Sequence, residues 1–145
     1  MRDRLMAESK AALKAQNKQR LGALRLITAA LQERDIAAKA PIPDAEIPAL
    51  LHKMIKQRRE SLAIYEKAGR TEQAQQEAAE IAVIEEFLPK QMSEAEARDA
   101  IAAAMKETGA ASPKDMGKVM SLLKQRHAGQ MDFGKASGLV KDMLQ

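Results

Sequence analysis

Apolar residues recur along this chain at intervals of three and four and never settle into alternation, so its segments read as amphipathic helices and not as strands. The pattern breaks most sharply across Ile81-Ala82-Val83-Ile84-Glu85-Glu86-Phe87-Leu88-Pro89-Lys90-Gln91-Met92-Ser93. Ile81, Ile84 and Leu88 share one helical face, with Val83 and Phe87 beside them. Pro89 has no N–H to donate and disfavours a helical residue before it, so the helix is predicted to end near Leu88. Ser93 and Glu96 then have the spacing of a capping box, in which the hydroxyl accepts from a free N–H and the carboxylate reaches back. This joint divides the chain into residues 1–89 and 90–145. Phe87 and Leu88 are expected to anchor the contact between the two lobes, with Glu85 and Glu86 outside or at its rim.

Before the joint, Leu5, Ser9, Ala12 and Leu13 mark a first helix from Arg2 to about Ala15, and Asn17 breaks or recaps the chain. Leu21, Leu24, Ile27, Thr28 and Leu31 mark a second, from Lys18 to about Ala38. Pro41 and Pro43 make a loop, with Asp44 the predicted cap of a third helix that runs through Ile47, Leu50, Leu51, Met54, Ile55, Leu62 and Tyr65 to a stop at Gly69. Thr71 is the predicted cap of the fourth. After the joint, Ala97, Ile101, Ala104 and Met105 mark a fifth helix ended by Gly109, and Ser112-Pro113-Lys114-Asp115 is a strong start for a sixth. Asp132 is predicted to cap the last, which buries Phe133, Ala136, Val140, Met143 and Leu144. The fold class is therefore all-α: a four-helix up-and-down bundle followed by a three-helix bundle.

The core must be aliphatic, because Tyr65, Phe87 and Phe133 are the only aromatics while nine methionines supply adaptable filling. Cysteine is absent, which excludes disulfides and thiolate metal sites. No apolar run precedes the first acids and none is long enough to span a bilayer, so no membrane role and a cytoplasmic location are expected. Charge is unevenly placed: residues 1–70 hold 15 Lys/Arg against 8 Asp/Glu, whereas residues 71–92 hold 1 against 5. A basic first lobe would raise the local concentration of polyanions.

Catalytic chemistry finds no seat in the sequence. His52 and His127 are the only histidines, and neither is flanked by a recognisable nucleophile motif. Glu85 and Glu86 are adjacent on a helix, about 100° apart, and cannot converge on one proton or ion. No catalytic residue, cofactor or metal is assigned. The more telling groups are basic. Lys53, Lys56, Arg58 and Arg59 crowd the third helix, with Lys56 and Arg59 three residues apart and able to point together, and Arg20, Arg25 and Arg34 lie on the second. Lys114, Lys118, Lys124, Arg126 and Lys135 surround the break at Gly129, where His127 sits near a helix end and the free N–H groups after Asp132 add donors. Such groups suit phosphates. With so few aromatics, a nucleic acid would be held through backbone and shape and not by base stacking.

Lys56-Gln57-Arg58-Arg59-Glu60-Ser61, Tyr65-Glu66-Lys67-Ala68-Gly69-Arg70, Glu85-Glu86-Phe87-Leu88-Pro89-Lys90-Gln91 and Lys114-Asp115-Met116-Gly117-Lys118-Val119-Met120 together resemble the successive signatures of the GatB/YqeY family, over essentially the whole chain. The resemblance implies a four-helix bundle followed by a three-helix bundle. It also implies a relation to the tail of the B subunit of the tRNA-dependent Asp/Glu amidotransferase, a carbon–nitrogen ligase that takes its amide nitrogen from glutamine. That tail holds tRNA and does not house the amidation. Gly117, Met120, Lys124, Gly129, Asp132 and Val140 are similar to the glycine-rich tail pattern, although Phe133 stands where the family has proline. The function this implies is non-catalytic tRNA binding or assistance to a tRNA-modifying or aminoacylating enzyme. Lys118, Lys124, Arg126, His127, Gly129 and Lys135 would form the phosphate-facing edge, aided by Lys56 and Arg59. The rival is a protein-interaction adaptor that docks such an enzyme through the groove between lobes or through an apolar strip on the Met-rich second lobe.

Overall fold

The first helix, α1 (Arg2–Lys14), begins a chain that is all helix in a computed structural model describing residues 1–145. It is followed by α2 (Lys18–Ala38), α3 (Ile47–Lys67), α4 (Thr71–Glu85), α5 (Glu94–Thr108), α6 (Met116–Arg126) and α7 (Phe133–Leu144), with short 3-10 turns at Asp44–Glu46 and Pro113–Asp115. The chain divides into two units, Met1–Leu88 and Pro89–Gln145.

In the first unit, Leu5 and Ala12 of α1 meet Leu24, Ile27 and Leu31 of α2, Ile47, Leu51, Met54 and Ile55 of α3, and Ile81 and Ile84 of α4. Phe87 closes this core at 2% exposure, with the Arg4 guanidinium 4.7 Å from its ring centroid. Leu13 does not join it. It lies 100° round the helix from Ala12 and is 61% exposed, so the buried stripe of α1 is narrower than the sequence suggests. Asn17 recaps the chain: its side chain accepts from the Arg20 N–H at 3.1 Å. Asp44 opens a 3-10 turn and caps nothing with its side chain, because the Glu46 and Ile47 N–H groups within its reach already donate to the Pro43 and Asp44 carbonyls. Thr71 is the first helical residue of α4, so Arg70 occupies the cap position without a side-chain bond. The α4 helix ends at Glu85, earlier than Leu88. Glu86, Phe87 and Leu88 each donate N–H to the carbonyl three residues back, and this tightening lets the chain reach Pro89 out of helical geometry.

Asp35 ties three segments together. Its two carboxylate oxygens accept from Arg2 at 2.8 Å each, one also accepts from the Ile42 N–H at 2.9 Å, and Arg2 donates to the Ile42 carbonyl at 3.1 Å. The loop after α2 is thereby held so that Ile42 is buried. The Arg2 bonds, reinforced by the Ile42 N–H, hold the Asp35 carboxyl at about 2, below its ordinary 3.8. A depressed carboxylate stabilises the fold above its unfolded value and loses that contribution as pH falls towards its folded one. The stability difference between wild type and Asp35→Asn is therefore expected to be constant above about pH 5 and to shrink between about pH 4 and pH 2. Urea titrations at several pH values check it.

In the second unit, Ala97, Ile101 and Ala104 of α5 pack with Val119 and Leu123 of α6, Met131, and Ala136, Val140 and Leu144 of α7. The capping box at Ser93 forms, with Ser93 Oγ accepting from the Glu96 N–H at 3.1 Å and Glu96 accepting from the Ser93 N–H at 3.2 Å. Gly109 ends α5 at φ +70°, a conformation that costs a glycine little. The expected apolar strip on this Met-rich unit is not there. Met131 is buried, and Met92, Met105, Met116, Met120 and Met143 lie against the core. The exposed large apolar side chains, Met6, Leu13, Leu26, Ile36 and Ile64, all belong to the first unit. No helix is long and apolar enough to cross a membrane.

Candidate functional site

The turn between α6 and α7 is built by hydrogen bonds that leave it little freedom. The His127 N–H donates to Leu123 O at 2.8 Å, the Gln130 N–H returns to His127 O at 3.0 Å, and Gly129 takes φ +75° between them. The segment that enters the unit braces the same turn: the Gln91 side-chain amide donates to Gly129 O at 2.7 Å and the Met92 N–H to Gln130 O at 2.8 Å. His127 is half-buried, with Nδ1 3.0 Å from Gln130 Oε1. Asp132 caps α7 by accepting from the Gly134 N–H at 2.9 Å.

Lys124 and Lys135 project from the last turn of α6 and the first turn of α7, on either side of this frame, and both are exposed. Lys118 is exposed near the other end of α6, six residues from Lys124. That spacing separates the two by about 120° around the helix and about 9 Å along it, so they do not share a face. Arg126 is turned to α5, where it pairs with Glu107. Lys56 and Arg59 sit on α3 in the first unit; Arg59 bonds Glu85 at 3.0 Å, and Lys56 is exposed and outside any ion pair.

The basic excess of residues 1–70 is largely neutralised on folding. Arg58 meets Glu80 at 3.2 Å, Arg59 meets Glu85, and Arg20 lies between Glu8 at 2.9 Å and Glu86 at 2.7 Å. Counted over Met1–Leu88, 15 Lys/Arg face 13 Asp/Glu. The pairing was missed because partners such as Arg20 and Glu86 are remote in sequence, and no spacing rule links them. Desolvation raises the nearby Glu77 carboxyl above its ordinary value, with the Glu80 charge adding to the effect.

In the second unit the acids are mostly engaged at home. Glu96 and Asp115 accept backbone N–H bonds that depress their pKa values, Asp132 caps α7, and Glu94 and Glu107 pair with Arg98 and Arg126. Its lysines are left over. Lys90, Lys106, Lys114, Lys118, Lys124, Lys135 and Lys141 are all exposed and none enters an ion pair. Every side-chain ion pair of the protein uses arginine, in keeping with the fork of donors that guanidinium presents to a carboxylate.

A cavity of about 310 Å³ lies at the tip of the α3–α4 hairpin, lined by Leu62, Glu66, Gly69, Thr71, Ala74, Gln75 and Ala78. Glu66 is its one ionisable group, which gives it no acid–base pair. Comparison with known proteins matches residues 2–144 to the family described as Yqey-like protein. Comparison with curated proteins gives no match.

Proposed function

Because the chain belongs to the YqeY-like family, which also occurs as the tail of the amidotransferase B subunit, we propose that it is a non-catalytic tRNA-binding accessory protein built as a four-helix and a three-helix bundle. The observation that carries this reading is the exposed lysine set of the second unit, outside every ion pair while five of its seven acids are engaged by caps and arginines. Unpaired ammonium groups release counterions from a phosphate backbone without first breaking a contact of the fold. Stacking contributes little, since Phe87 is buried and Tyr65 and Phe133 are half-buried. The braced turn at Gly129 holds Lys124 and Lys135 on fixed supports, and Lys118 contributes a separate contact along α6. Arg126 and Arg59 supply field and would have to leave Glu107 and Glu85 to touch phosphate.

The test is binding of total tRNA across a salt series. At least three phosphate contacts are expected, giving a slope of log K against log salt of about −2 to −3. Lys118→Gln, Lys124→Gln and Lys135→Gln are each expected to flatten that slope by about 1 while leaving helix content unchanged. No binding near physiological salt, or a slope no steeper than one or two phosphate contacts give, would sink the reading. Capture of a protein from the native cell that survives nuclease treatment, with no RNA crosslinked, would favour the adaptor.

A further inference from the structure

Helix α2 buries Ala23, Leu24, Ile27 and Leu31. Its opposite side carries a second stripe, Gly22, Leu26, Ala29, Glu33 and Ile36, at alternating steps of four and three residues. All five are exposed, Ile36 to 77%. Single exposed apolar side chains are ordinary, and a row of them along one helix is less so. Arg25 flanks the stripe, and neither it nor Glu33 enters an ion pair within the chain.

We propose that this face of α2 pairs with the same face of a second copy, antiparallel about a two-fold axis at Ala29. A two-fold contact must be complementary to itself, and this stripe is. With Ala29 on the axis, Gly22 of one copy is level with Ile36 of the other, and Arg25 is level with Glu33. The small Ala29 lets the helices approach. Gly22 leaves a recess for the partner's isoleucine: a Cβ there would meet no atom within 4 Å beyond its chain neighbours and the backbone of its own helix, so no packing contact of the single chain requires the glycine. Sliding the helices by one turn either way puts Arg25 level with Ala29 or Ala37 and loses both the charge pair and the fit of large against small. Charge also selects the occupant. Glu33 within the stripe repels a polyanion, and its only cationic complement in this register is a second Arg25.

The contact is one helix long, so a weak dimer is expected, with a dissociation constant on the order of 100 μM. Sedimentation of the full chain from about 10 μM to about 1 mM should show the mass rising from one chain towards two, as that constant requires. Arg25→Glu is expected to weaken association about tenfold, because it sets like charges opposite each other on both sides of the axis. Combining Arg25→Glu with Glu33→Arg should restore it. Gly22→Leu fills the recess and should also weaken association, with helix content checked by circular dichroism. A chain that stays monomeric throughout overturns the proposal. So does a dimer indifferent to Arg25→Glu and Gly22→Leu, or a double reversal that fails to recover what the single one lost.

Discussion

Phe87→Ala is expected to destabilise the first unit by about 3–5 kcal/mol, a large part of the stability of a domain this size. The ring is 2% exposed and sits among Ile81, Ile84 and the apolar residues of α1 to α3. Its removal leaves a cavity that the tight turn at Glu86–Leu88 cannot readily follow inward, because the three consecutive backbone bonds there fix the path of the chain. The Arg4 guanidinium over the ring would lose its partner as well, adding about 0.5–1 kcal/mol at an exposed edge. Tyr65 makes the measurement selective. It is the only tyrosine of a tryptophan-free chain and lies on α3, so its fluorescence follows the unfolding of the first unit. In urea the Tyr65 transition should move to lower denaturant in the variant.

Ile101→Ala is the counterpart in the second unit, with an expected cost of about 2–5 kcal/mol. Ile101 is fully buried beside Ala97, Ala104, Val119, Leu123 and Val140. Most of these are small or β-branched, with little reach to fill the space left, which favours the upper part of that range. Circular dichroism reports both units, whereas Tyr65 reports one. If the units unfold separately, Ile101→Ala lowers a dichroic transition and leaves the Tyr65 transition in place. Equal displacement of both signals would mean that the two units unfold as one.

The helices were legible because their signals are local. The range Lys18–Ala38 for α2, the capping box at Ser93, the left-handed stop at Gly109 and the Asp132 cap follow from residue types a few positions apart. Finer ends were lost where two local signals competed. Pro89 marks the last place a helix can reach, while the α-helical bonding of α4 gives way after Glu85 to bonds three residues back. Thr71 is a good cap by type, but the chain enters the helix one residue sooner. The candidate contact residues were legible as a charge pattern and not as a surface. Arg59 and Arg126 look equivalent to the lysines in sequence, yet folding pairs each with a glutamate from another helix. The basic first lobe failed for the same reason, since charge summed along a chain is blind to the acids that α4 brings back onto α2 and α3. The outward stripe of α2 is not marked by the helical period, which points to the buried side, and only burial shows which side lacks a partner.

The division of labour between arginine and lysine has a further consequence. All seven side-chain ion pairs depend on guanidinium, while every lysine stands outside them. Acetylation of a lysine removes its charge, so such a modification would change how the surface attracts anions without opening any of these pairs. The fold and its surface field are thus written in separate alphabets, and the second can be edited covalently while the first is left intact.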